Sequence, residues 1–167
     1  MFIPLRIGEY DKSTKVVTVL LRGLSFANGV ALNKDKSIVL VAENSTGRIV
    51  RYCLKGPRAG KHYTFINLTG YPDNIERNLK EEFWVALHSK ILLLSKLVTF
   101  NSWLGKTVLK HPISIQQQHF IEDGQVLDIL EDVESKTLQF ISKVEEKKDK
   151  LWIGSVMVPF VGVYGLS

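Results

Sequence analysis

The 167-residue chain has a single cysteine, Cys53, so it carries neither a disulfide framework nor a paired-cysteine metal site. Cys53 lies in an apolar, strand-like run, the setting of a packed thiol and not of a reactive one. Long apolar runs are missing as well. No stretch reaches the roughly 20 residues that a membrane-crossing helix needs, and the opening MFIPLRIGEY lacks the apolar core of a secretory leader. Clusters of one charge are also lacking. The 22 Lys and Arg are interleaved with 17 Asp and Glu for a net charge of +5, which offers no basic patch to a nucleic acid.

What the chain does have is β-branched runs punctuated by polar turns. KVVTVLL (15–21) is followed by the turn-like GLSFANG (23–29), by VALN (30–33), by a polar turn from Lys34 to Ser37, and by IVLVAE (38–43). RIVRYCL (48–54) then leads into the breaker-rich KGPRAG (55–60), and Tyr63 to Asn67 offers a further strand. The same grammar returns at Asp73 to Arg77, a polar turn at 78–82 and FWVAL (83–87). It returns again at Ile141 to Glu145, a lysine-rich turn through Lys150 and LWIGS (151–155). GQVLDILED (124–132) also reads as strand.

The first two copies begin about one propeller blade apart. A blade uses four antiparallel strands, so the pattern predicts an all-β fold of about three blades. Residues 89–112 break the rhythm. They are read as a helical or irregular insertion between blades that covers one propeller face, in preference to a membrane-surface anchor. Two tripeptides, Asn44-Ser45-Thr46 and Asn67-Leu68-Thr69, are glycan acceptors if the chain enters the secretory pathway.

The run FANGVALNKDKSIVLVAE (26–43), with RIVRYCLKGPRAG (48–60) and GYPDNIERNLKEEFWVAL (70–87), resembles strictosidine synthase and its synthase-like relatives. SKVEEKKDKLWIGSVMVPFVGVYGL (142–166) resembles the final blade of that family. The resemblance implies a six-bladed propeller of about twice this length, of which residues 1–167 correspond to the C-terminal half. It also implies a vacuolar or endoplasmic-reticulum and secretory location, with the secretory signal, three blades and part of the pocket in the other half. Pairing with another half-propeller is the partner that such a half would need.

In strictosidine synthase, the resemblance implies a condensation of tryptamine with secologanin in which one glutamate of the final blade shuttles protons. Aligned on LWIG, that glutamate falls on Ser142, whose hydroxyl cannot hold and return a proton near neutral pH. Glu145 and Glu146 are read as a solvated turn beside Lys147 and Lys148. Asn28 in FANG and Asp73-Asn74 in PDNI, in contrast, are similar to calcium-binding positions of the related paraoxonase and gluconolactonase propellers. Amide and carboxylate oxygens are the donors Ca²⁺ takes, although Asn-Gly and Pro-Asp-Asn also favour turns whose side chains cap their own backbone. His62, His88, His111 and His119 match no histidine motif of those hydrolases.

Three functions follow as expectations. The first is a calcium-assisted ester or lactone hydrolase acting on an unidentified small molecule, with Asn28, Asp73 and Asn74 as the metal residues. The second is strictosidine synthesis, set against by Ser142. The third is a noncatalytic, shortened product.

Overall fold

In a computed structural model of the chain, residues 5–90, 115–132 and 140–166 are described. They form thirteen strands in four antiparallel sheets. The first sheet is a hairpin of β1 (Leu5–Asp11) and β2 (Val16–Leu24). Next comes a four-stranded blade of β3 (Ala27–Leu32), β4 (Ile38–Glu43), β5 (Arg48–Cys53) and β6 (His62–Asn67), hydrogen-bonded in sequence order. A second blade has β7 (Gly70–Arg77), β8 (Phe83–Lys90), β9 (Ile115–Phe120) and β10 (Val126–Asp132). The last sheet has three strands, β11 (Ile141–Glu146), β12 (Lys150–Ser155) and β13 (Gly162–Gly165).

Ser89 and Lys90, the first residues of the expected insertion, belong to β8. Residues 91–112 of that insertion lie outside the described residues.

Strands with one wet face alternate apolar and polar, whereas strands covered on both faces read as continuous apolar runs. IVLVAE and FWVAL are of the second kind, and the packing shows why. Ile38, Leu40 and Ala42 of β4 meet Ile75, Phe83, Val85, Leu87 and Phe120 of the second blade. The intervening Val39 and Val41 meet Leu21 and Leu24 of the first hairpin. In the second blade, Trp84 and Ala86 turn the other way, onto Ile141, Val144, Leu151 and Ile153 of the third.

Each four-stranded blade is thus glued to both neighbours by side chains of opposite parity. Full burial of a residue such as Phe83 or Phe120 contributes about 1.5–3 kcal/mol. The first strands β3, β7 and β11 pack beside one another in that order, as the channel-lining strands of a partial β-propeller do. The outermost sheets are short of strands, and they leave Tyr10, Val16 and Val17 at one end and Val163 and Tyr164 at the other exposed.

Candidate functional site

Each channel-lining strand has an irregularity in its ladder at an equivalent place. The register of β3 against β4 shifts between Ala27 and Val30, at Asn28-Gly29. That of β7 against β8 shifts between Pro72 and Ile75, at Asp73-Asn74. That of β11 against β12 shifts between Ile141 and Lys143, at Ser142. A bulge re-aims side chains that a regular ladder would send alternately to the two faces. Here it does so at equivalent points of three neighbouring strands, and these are the positions singled out from sequence.

The re-aimed side chains link the strands. The Asn28 side chain neighbours the Asp73 carboxylate where β3 packs against β7. Asn74 Nδ2 donates to the Ser142 carbonyl at 2.8 Å, joining β7 to β11, and to Asp73 Oδ1 at 3.2 Å. Gly29 permits the close approach: a Cβ there would meet Ile75 N at 2.6 Å, Asn74 Cα at 2.7 Å and the Asp73 carbonyl at 2.8 Å. None of these hydrogen bonds is an Asn or Asp side chain capping its own turn.

Burial pushes the Asp73 carboxyl above the ordinary aspartate range, and the nearby His88 and the Asn28 amide pull it only part of the way back. A half-buried carboxylate flanked by two asparagine amides suits a hard cation, since an added positive charge would offset the desolvation. Both hydrogen bonds of Asn74 described here use Nδ2, and its oxygen is the atom that a hard cation would take. His88 is half-buried at the end of β8, its ring 5.0 Å from that of Phe140.

Known proteins have similar sequences. A family profile described as strictosidine synthase matches residues 5–57. The Arabidopsis thaliana protein strictosidine synthase-like 10 is 54% identical over 175 residues, which cover 96% of this chain and 47% of that protein. The chain belongs to the strictosidine synthase-like family. It spans about half the length of the curated relatives it matches.

Among solved structures, a gluconolactonase from Xanthomonas campestris superposes with a TM-score of 0.63 at 14% identity, over 90% of this chain and 41% of its own. Regucalcin from Agrobacterium tumefaciens, described as a calcium-binding protein, does so with a TM-score of 0.56 at 14% identity, over 93% and 52%. At such identities the likeness concerns the fold.

At the position where strictosidine synthase is expected to hold its acid, this synthase-like chain has Ser142, half-buried, with Oγ 3.4 Å from the Gly154 carbonyl. Glu145 is exposed. Glu146 differs from its expected place in a solvated turn. It is half-buried and accepts hydrogen bonds from Trp84 Nε1 at 2.7 Å and Asn78 Nδ2 at 2.8 Å. Burial raises its pKa, but those two donors, Lys80 and His119 outweigh burial and hold it below the usual glutamate range.

Glu146 belongs to a cluster that the sequence did not single out. Glu82, His119 and Glu146 present ligand-type atoms all within 4.8 Å of one another. His62 is exposed, and His111 lies outside the described residues.

The two tripeptides that match the glycan-acceptor pattern differ. Asn44 is half-buried in a short 3-10 turn (Asn44–Thr46), and its Nδ2 donates to the Pro72 carbonyl at 2.9 Å. Thr46 Oγ1 donates to Glu43 at 2.7 Å. Asn67 closes β6 and is exposed, as is Thr69. Cys53 is buried in the core between the first two blades. Among the described residues no helix is long and apolar enough to cross a membrane.

Proposed function

We propose that this strictosidine synthase-like chain supplies the channel-side cation site of an ester- or lactone-hydrolysing propeller, with Ca²⁺ as the cation. The observation that carries the reading is the alignment of three bulges, which brings Asn28, Asp73 and Asn74 together across neighbouring inner strands. Asp73 supplies charge, Asn28 and Asn74 supply amide oxygens, and the Ser142 carbonyl anchors Asn74 from the next strand. Calcium bound there would polarise a substrate carbonyl and steady the oxyanion that develops on it. A secretory or vacuolar setting, as the family resemblance implies, is compatible with the plant relatives. Strictosidine formation is disfavoured by the serine at position 142 and by the engagement of Glu146 elsewhere.

Three protein ligands fall short of the six to eight oxygens calcium takes, so the chain should bind it weakly, with a Kd of about 10⁻⁴–10⁻³ M. Calorimetric titration of the purified chain with CaCl₂, and hydrolysis of phenyl acetate with and without a chelator, test the reading. Asp73→Asn should abolish the calcium heat and any chelator-sensitive hydrolysis. Retention of both by Asp73→Asn would exclude this site.

A second reading is a noncatalytic half that pairs with another half-propeller. The strand-poor end sheets, with Tyr10, Val16, Val17, Val163 and Tyr164 exposed, favour it. It predicts self-association, measured by analytical ultracentrifugation, in place of ester hydrolysis.

A further inference from the structure

Away from the channel bulges, Glu82, His119 and Glu146 meet where the second blade joins the third. Glu82 ends the turn between β7 and β8, His119 lies on β9, and Glu146 is the last residue of β11. Asn78, which directly follows β7, lies four residues beyond Asn74, or about 13 Å along an extended strand. This junction is therefore distinct from the site around Asp73.

From this geometry we infer that Glu82, His119 and Glu146 form a binding site for a divalent transition-metal ion of the zinc type, one that ties the second blade to the third. The donor set argues for the class of ion. One imidazole nitrogen and two carboxylate oxygens, within 4.8 Å of one another, make three ligands of the kind zinc accepts, which commonly takes water as a fourth. Calcium would forgo the nitrogen.

The surroundings hold the ligands as an outer shell does. Asn78 Nδ2 donates at 2.8 Å to both Glu82 Oε2 and Glu146 Oε2, and Trp84 Nε1 donates to Glu146 at 2.7 Å. The Trp84 ring stacks on the His119 ring at 4.1 Å and 6°, which fixes the imidazole plane. His119 Nε2 lies 3.0 Å from Glu82 Oε2.

Charge points the same way. Two carboxylates share one amide donor, and the nearest lysine, Lys80, is mostly exposed with Nζ 4.0 Å from Glu146 Oε1. Because the ligands come from two blades, the complete site exists only when the blades are docked. Bound metal therefore stabilises the docked state.

Thermal melts of the whole chain at pH 7.5 with and without ZnCl₂ test the inference. At about 100-fold excess over Kd the midpoint should rise by about 5–10 °C. Glu82→Gln and His119→Gln should each lose that rise, and Asp73→Asn should keep it. No rise in the wild-type chain, a rise that survives in both junction variants, or a rise lost in Asp73→Asn would overturn the site. Should the junction variants fail to fold, cobalt(II) added to the wild-type chain decides. Intense visible absorption of a four- or five-coordinate ion supports the site, and the weak spectrum of the aqueous ion overturns it.

Discussion

Replacing Gly29 by alanine tests the channel-side geometry with one methyl group. The added Cβ would meet three backbone atoms of β7 at 2.6–2.8 Å, whereas ordinary contact begins at 3.4 Å. The β3 and β7 backbones must therefore part by about 0.6–0.8 Å. No flexible side chain can yield instead, because the atoms met belong to Asp73, Asn74 and Ile75 main chain. Overpacking of this kind costs about 1–3 kcal/mol. For a chain of this size that lowers the melting midpoint by about 2–12 °C. The same displacement moves Asn28 away from the Asp73 carboxylate, so any calcium response should weaken in parallel. Thermal and urea melts read the first effect, with an unchanged urea m-value showing that the native and unfolded ensembles keep their extents. Calcium titration reads the second. A Gly29→Ala variant that melts within about 1 °C of the parent and binds calcium equally would refute the close approach of β3 and β7 on which the site depends.

Glu43, 1% exposed, accepts from Ser25 N at 2.7 Å, from Thr46 Oγ1 at 2.7 Å and from Arg48 Nε. Burial raises its pKa, but the Arg48, Ser25 and Thr46 bonds outweigh burial and lower it. A lowered carboxylate pKa contributes stability that is present above the unfolded value, about 4.3, and lost as pH falls through the folded value. Glu43→Gln should therefore cost about 1–3 kcal/mol at pH 7, with the gap to the parent closing below about pH 4, as followed by denaturant melts across pH. In the secretory pathway, glycan should be found on Asn67 and not on Asn44, because the Asn44 amide and Thr46 hydroxyl are engaged and Asn67 is exposed. Peptide mapping after enzymatic deglycosylation reads the occupancy of each asparagine, and a glycan on Asn44 would contradict the packing of that turn.

Much of the β-structure is visible along the chain because its determinants are local. IVLVAE and FWVAL are apolar without alternation, as strands covered on both faces must be, and the polar turns between the strands end them in register. Asn28, Asp73 and Asn74 stand out through the resemblance of FANG and PDNI to calcium-binding positions of related propellers, since as bare sequence both also read as turns. Three strands escaped. β9 reads IQQQHF, with Gln118 buried at 3% exposure, so an apolar pattern could not reveal it. β1 and β13 are largely exposed strands of the two- and three-stranded sheets, with little burial to imprint a pattern.

The sequence by itself determined the all-β repeat and the residue types at the channel, because strand, turn and bulge preferences act over a few neighbouring residues. Only the tertiary structure decided that Glu146 leaves the solvated turn and that Glu82, His119 and Glu146 converge. Those three residues are far apart along the chain, and their meeting is set by how one blade docks on the next through Trp84, Ile141 and Leu151.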